Sequence, residues 1–269
     1  MNASSPLLID PLFLHSLLGN ARGRFAVDSI AECESTNTLL LERAENGAPA
    51  GSVVVAQRQT AGRGSRGRSW LAVPEASLTF SVLWRFAGGI ERLSGLSLAV
   101  GLAVAQALEA CGATAVALKW PNDIVHDNCK LGGILVELEN DEDGALVVIG
   151  IGLNLSLAPN IAAGEGFALQ PVALDSIIAP LPERHALLAQ LLIKLAAVFD
   201  RFANGGFAVL RDDWQARHAW QDRPVRVLRD GRLEMEGVCC GADSDGALIL
   251  RTAAGIQRCL SGDVSLRPC

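Results

Sequence analysis

Gln59-Thr60-Ala61-Gly62-Arg63-Gly64-Ser65-Arg66-Gly67-Arg68-Ser69-Trp70 interleaves three glycines with three arginines directly after a β-rich run, and the reading of the whole chain turns on it. Glycine lets backbone amides approach an anion closely, and each guanidinium adds charge with a fork of donors. The segment therefore suits a polyphosphate or a developing acyl phosphate. Other readings stay open on these residues alone. Gly62, Gly64 and Gly67 satisfy G-x-G-x-x-G, but Arg68-Ser69-Trp70 and Pro74 follow where a dinucleotide fold needs a helix, which argues against that fingerprint. Arginines beside a tryptophan are also the makings of a single-stranded nucleic-acid patch, and a solvated loop needs no ligand at all.

Two segments downstream are similarly dense. Lys119-Trp120-Pro121-Asn122-Asp123 closes a β-rich run with a packed polar cluster, and Lys130-Leu131-Gly132-Gly133-Ile134-Leu135-Val136-Glu137 opens the next with a lysine and two glycines. Taken singly each has a plain reading, in which Asn122-Asp123 closes a turn and Lys130 faces solvent where a strand begins. Their order behind the glycine–arginine loop is what carries information.

Around these segments, residues from about 25 to 160 alternate β-rich runs with helical ones. The β-rich runs include Ser52 to Ala56, Leu78 to Trp84, Ala115 to Trp120, Gly133 to Leu138 and Ala145 to Leu155, which predicts a mixed α/β layer. Ser35 is placed to cap a helix through Leu39, Leu40 and Leu41, and a longer helix is expected from Arg92 to Ala110, stopping near Gly112. Glu139 to Gly144 reads as a solvated hairpin turn ending in Asp-Gly rather than a metal loop. A helix with Pro182 in its first turn runs to Ala203 and stops at Asn204-Gly205-Gly206, and another is expected from Phe207 to Ala216. From Asp222 short alternating runs are punctuated by Asp230-Gly231, Asp245-Gly246 and Ala254-Gly255, the pattern of a small all-β domain. The expected division is 1–221 and 222–269.

Half of the 269 residues are hydrophobic and 19% are charged, a globular composition. With a net charge of −6 and a pI near 5.3, a broad basic footprint for nucleic acid is absent and any positive patch is local. Leu93 to Leu108 falls short of the ~20 apolar residues of a membrane span. No basic residue precedes the apolar N-terminal stretch, which carries Asp10, so neither a secretory signal nor a transit peptide is expected, and without a span no membrane partner is expected either. Cys33, Cys111, Cys129, Cys239, Cys240, Cys259 and Cys269 are odd in number and form no C-x-x-C pair. They fit the reducing cytoplasm better than a disulfide framework or a zinc site, and no protein metal site is expected.

Taken together, these segments closely resemble the signature blocks of biotin protein ligases. The likeness runs from Glu34-Ser35-Thr36-Asn37 through the glycine–arginine loop and the two lysine-led segments to Ile149-Gly150-Ile151-Gly152-Leu153-Asn154-Leu155. Gly262-Asp263-Val264-Ser265-Leu266-Arg267 is similar to the family's last strand. The resemblance implies an α/β (α+β) fold, a mixed-sheet biotin/lipoate-ligase-like catalytic domain followed by a small SH3-like β-barrel. It also implies the reaction: biotin and MgATP give biotinyl-5′-adenylate and pyrophosphate, and a lysine of a biotin carboxyl carrier protein then displaces AMP. The related alternatives are a lipoate or octanoate ligase or transferase, and a biotin-binding module without catalysis.

By the same resemblance Ser35, Thr36, Asn37 and Gln59 meet the ureido ring, while Gly62, Gly133, Leu135 and Gly152 shape the slot for biotin. Arg63, Arg66, Arg68 and Lys130, with Mg²⁺, offset charge on carboxylate and triphosphate, Arg63 and Lys130 reaching biotin as well. Arg66, Arg68, Trp70, Asn122, Lys130, Asn154 and Arg267 flank the nucleotide, and Asp123 orients Lys130 or the incoming lysine. One position departs from the pattern. Where the family commonly reads Gly-Arg-Gly-Arg, this chain has Gly62-Arg63-Gly64-Ser65, so a hydroxyl replaces a guanidinium and the adenylate is expected to leave sooner unless Arg66 or Arg68 compensates. Some family members carry an N-terminal winged-helix domain and act as repressors. Only about thirty residues precede Ser35 here, so no DNA partner is expected; for the oligomeric state, a monomer or a homodimer is expected.

Overall fold

A computed structural model describes residues 9–141, 144–157, 169–229, 231–261 and 264–268. Helix α1 (Pro11–Leu17) opens on Asp10, whose side chain accepts from the amides of Leu12 and Phe13. Strand β1 (Ala26–Cys33), helix α2 (Thr36–Glu45) and strand β2 (Ser52–Gln59) follow as one crossover unit, the arrangement that a parallel strand pair requires. Next come β3 (Ser77–Phe86), α3 (Leu96–Ala110), β4 (Ala117–Lys119), β5 (Asp123–His126), β6 (Cys129–Asp141) and β7 (Gly144–Asn154). These strands form one seven-stranded sheet in the order β1-β2-β3-β7-β6-β5-β4, antiparallel except for β1 and β2.

Side chains alternate across a strand, so each face of this sheet can be read from the sequence. Leu78, Phe80 and Val82 of β3 and Ile149, Ile151 and Leu153 of β7 join one buried core with α3 and with α4 (Arg184–Gly205). Helix α3 is apolar on nearly every side because it lies between the sheet and α4. The opposite face is divided. Leu40 of α2 packs with Val54, Leu83, Leu146 and Val148 over one half. The other half carries Ser77, Thr79 and Ser81 on β3 against Gly152 and Gly150 on β7, and is left for the site.

After α5 (Arg211–Gln215), strands β8 (Pro224–Arg229), β9 (Arg232–Ala242), β10 (Leu248–Thr252), β11 (Gly255–Cys259) and β12 (Val264–Pro268) form an antiparallel five-stranded sheet in the order β11-β10-β9-β8-β12. Its turn at Asp245-Gly246 seats against the larger unit. Trp120 Nε1 donates to the Gly246 carbonyl at 3.0 Å, and Ser94 Oγ donates to that of Asp245 at 2.7 Å. Gly246 lies against the backbone of Gly95, where a side chain on either residue would collide.

Several local expectations need correction. Ser35 occupies the position before α2 but makes no capping bond, and the amide of Thr36, the first helical residue, donates to Gln59 Oε1 at 2.7 Å. The helix expected from Arg92 begins at Leu96, since Gly95 sits in the left-handed region at φ 78° and separates it from a short 3₁₀ turn at Ile90–Leu93. Pro182 precedes the residue that caps α4, Glu183, and so lies just outside the helix. The helix expected over Phe207 to Ala216 is a 3₁₀ turn (Phe207–Val209) followed by α5. Asp123 does not close a turn but begins β5. Residues 142 and 143 of the acidic hairpin, Gly262 and Asp263, and Asp230 lie outside the described residues.

Candidate active site

The bare half of the sheet is the floor of a cavity of about 520 Å³. Gly133 of β6 pairs with Gly152 of β7, and Thr79 of β3 pairs with Gly152 from the other side. The floor is kept low by these glycines: a Cβ on Gly152 would lie 2.7 Å from Trp70 Nε1, and one on Gly150 would meet the Asn37 carboxamide. Leu135 adds apolar surface.

One end of the cavity is lined by a chain of buried polar groups. Thr36 Oγ1 lies 3.0 Å from Gln59 Oε1 and 2.7 Å from Ser81 Oγ, while Ser81 donates to Asn37 Oδ1 at 2.5 Å. Asn37 Nδ2 in turn donates to Glu137 Oε2 at 2.8 Å, and Ser35 lines the same end, only 3% exposed.

The glycine–arginine segment folds as a closed loop beside this floor. Trp70 donates its amide to the Gly62 carbonyl at 2.8 Å, and Gly64 donates to that of Arg68 at 2.7 Å. The loop sends Arg63 and Arg68 to the cavity. Arg63 is tied to Glu137 and to Thr38 Oγ1, and Arg68 is folded back onto both the carbonyl and the hydroxyl of Ser65. Trp70 lies across Gly152 with Lys130 Nζ 5.8 Å from its ring centroid, and its buried Nε1 has no hydrogen-bond partner among the described residues.

The electrostatic centre is a carboxylate between two ammonium groups. Asp123 Oδ1 is 2.5 Å from Lys130 Nζ, and Oδ2 is 2.7 Å from Lys119 Nζ. Asp123 is 7% exposed and Lys119 4%. Burial works to raise the Asp123 carboxyl, but the two adjacent lysines outweigh it and hold the group well below the usual carboxylate range. Lys119 is pushed down by burial against the pull of Asp123. Arg267 reaches the cavity from β12, its guanidinium lowered by burial and by the like charge of Arg68.

All the residues singled out in the sequence line this cavity except two. Gly62 stands behind it, where a Cβ would collide with the Trp70 carbonyl, so it shapes the loop and not the slot. Arg66 sits at the loop tip with φ 62°, outside the lining. Asn122 and Asn154 spend their amides on the framework. Asn122 Nδ2 donates to the Ile134 carbonyl at 2.8 Å, while Asn154 Nδ2 donates to those of Lys130 and Val172 at 3.2 and 3.1 Å. Sequence reasoning missed roles for Glu137, Ser81 and Lys119. The signal was parity: Glu137 shares a strand face with Gly133 and Leu135, and Ser81 shares one with Thr79. Among the described residues no group of three or more His, Cys, Asp or Glu side chains is placed to hold a metal ion.

Comparison with known proteins defines the class. The model of the biotin/lipoate A/B protein ligase family matches residues 30–154, and that of the biotin protein ligase C-terminal domain matches residues 222–267. The bifunctional ligase/repressor BirA of Salmonella typhimurium is 35% identical over 97% of this chain and 79% of its own length. The biotin–acetyl-CoA-carboxylase ligase of Paracoccus denitrificans is 38% identical over 85% of this chain and 95% of its own. The solved structure of the biotin protein ligase from Aquifex aeolicus in complex with biotin and ATP is 28% identical, covers 91% of this chain and 99% of its own, and superposes with a TM-score of 0.76. The chain belongs to the biotin protein ligase family.

Proposed function

We propose that this protein condenses biotin with MgATP to biotinyl-5′-adenylate and pyrophosphate, then transfers the biotinyl group to one lysine of a biotin carboxyl carrier domain. The observation that carries this reading is the cavity itself, where an apolar, glycine-floored slot is lined both by the polar groups of Ser35, Thr36, Asn37 and Gln59 and by the cations Arg63, Arg68, Lys130 and Arg267. A carboxylate is a poor nucleophile toward a phosphate that is itself negative, so cations held in place lower the barrier by offsetting both charges.

In this reading Ser35, Thr36, Asn37 and Gln59 face the ureido ring, and Gly133, Leu135 and Gly152 admit the valeryl chain. Arg63, Arg68 and Lys130 face the carboxylate and the α-phosphate, and Trp70, Arg267 and the backbone held by Asn122 and Asn154 flank the nucleotide. The polar end favours a ring with donors and acceptors over the alkyl tail of octanoate or the dithiolane of lipoate, which would leave those buried groups unpaired. We assign residues 1–221 to the catalytic unit and 222–269 to a second unit that contributes Arg267. The acceptor is the carrier domain of a biotin-dependent carboxylase. The cytoplasm is the compartment that suits the free thiols of Cys33, Cys111, Cys129, Cys239, Cys240 and Cys259. Among the described residues no helix is long and apolar enough to cross a membrane.

Intact mass spectrometry of a carrier domain incubated with this protein, biotin and MgATP tests the proposal. One biotinyl group on one lysine, dependent on ATP and absent with lipoate or octanoate, is the expected outcome. No AMP release with biotin would leave only a binding module.

A further inference from the structure

Only three lysines occur in the chain, Lys119, Lys130 and Lys194, against twenty arginines. Two of the three stand at the one place where a reactive acyl adenylate would be made, and the other site cations, Arg63, Arg68 and Arg267, are arginines that cannot lose their protons. A lysine there is a hazard as well as a help. As free base, Lys130 Nζ would attack the acyl carbon of the mixed anhydride: the C–N bond forms, the bond from that carbon to the phosphate oxygen breaks, AMP leaves, and the nitrogen releases its proton to solvent. The enzyme would then carry the biotinyl group as a dead amide.

We infer that Asp123 is a guard residue, whose two oxygens hold Lys130 and Lys119 as non-nucleophilic ammonium ions so that the adenylate survives until the acceptor lysine arrives. The inference rests on the reading of this cavity as the site of biotin activation. Each oxygen serves one amine, at 2.5 and 2.7 Å, and the carboxylate is almost wholly buried, so water does not dilute its hold. Both flanking charges matter. Without Asp123 the two ammonium groups would face each other with Arg267 nearby, and like charge together with burial drives a lysine toward its neutral form. Lys194 lies apart, on α4. Lys130 keeps its use as a cation toward substrate because a quarter of its side chain opens to the cavity.

The test supplies chemically prepared biotinyl-5′-adenylate to the full-length chain without acceptor and maps the biotinylated lysines by peptide mass spectrometry. Asp123→Asn should gain a biotinyl group at Lys130 or Lys119 at least about tenfold faster than the unaltered protein, since each amine then loses its anionic partner and keeps its cationic neighbour. Asp123→Glu, which keeps the charge, should return most of the protection. A second measurement needs no variant: limited acetylation of the unaltered protein by acetic anhydride should modify Lys194 before Lys130. Self-labelling of Asp123→Asn no faster than the unaltered protein, or acetylation of Lys130 as fast as that of Lys194, would overturn the inference. Failure of the unaltered protein to release AMP with biotin and ATP would instead remove the reading beneath it.

Discussion

Arg63 Nη2 donates to Glu137 Oε1 at 2.5 Å, and the second oxygen of that carboxylate accepts from Asn37, so one acidic side chain joins a cation of the loop to the polar end of the slot. Occupancy of one is thereby linked to the position of the other. Glu137→Gln removes the charge and keeps the shape. The pair is partly exposed, at 46% for Arg63 and 20% for Glu137, so its worth is discounted to about 1 kcal/mol. Calorimetric titration should show biotin binding roughly fivefold weaker in Glu137→Gln. Unchanged affinity would mean that Arg63 holds its place without Glu137.

Ser65 accepts from Arg68 Nη2 at 3.0 Å through its hydroxyl, and its carbonyl accepts from Arg68 Nε at 3.1 Å. That contact turns Arg68 toward the loop's own backbone, so it does not stand in freely for the guanidinium the family usually carries at position 65. Ser65→Arg should restore a charge-assisted contact to the adenylate, worth about 1.5–3 kcal/mol when shielded and nearer 1 kcal/mol in this open loop. The rate of adenylate release, followed by rapid filtration, should fall about fivefold. An equal or faster release would show that Arg63 and Arg68 already suffice.

The fold was largely legible because its strands alternate cleanly, as Leu78, Phe80 and Val82 do against Thr79 and Ser81. The motifs also contain most of the residues that line the cavity. What local patterns could not contain were contacts between distant parts of the chain. Ser35 has the chemistry of a helix cap yet makes no capping bond, and the acceptor for the Thr36 amide comes from Gln59, 23 residues beyond Thr36. The helix expected from Phe207 is interrupted at Leu210, between α5 and a 3₁₀ turn whose Phe207 packs against Gly95 and, edge-on, against Trp214 at 6.0 Å between ring centroids. Glu137 lies inside a conspicuous motif, but a lone acid in a strand reads as solvated until the strand beside it is known.

His218 is 7% exposed and stacks on Trp214 with ring centroids 4.7 Å apart. Burial pushes its imidazole down from 6.5 to about 4. The folded protein therefore holds the ring neutral while the unfolded chain takes up a proton near pH 6.5. The stability this contributes is complete above that pH and is lost as pH falls toward 4, by about 3 kcal/mol in all. Asp123, whose carboxyl is held low, loses its contribution only under more acid conditions. Urea unfolding should show stability falling by up to about 1.4 kcal/mol per pH unit between pH 6 and 4.5, and His218→Gln should flatten that slope. An equal slope in the variant would assign the acid sensitivity elsewhere.

Trp120 is fully buried and lies in the chain between Lys119 and the Asp123 that binds it, while its indole reaches across to the Gly246 carbonyl of the second sheet. The same sheet delivers Arg267 to the cavity, whereas the polar end of the slot is built from α2, β2, β3 and β6. Loosening this latch should thus disturb the nucleotide end and spare the biotin end. Trp120→Phe leaves a buried carbonyl without its donor, at a cost of about 1–3 kcal/mol. Gly246→Ala attacks the contact from the other side, since its φ of 84° is strained for alanine and its Cβ would stand 2.7 Å from Gly95 Cα. Both variants should lower the urea midpoint and weaken ATP binding by several-fold more than biotin binding, measured by calorimetry on the folded fraction. Equal losses for the two ligands would mean that Trp120 supports the sheet as a whole, and intact ATP affinity would mean that Arg267 reaches its place without the latch.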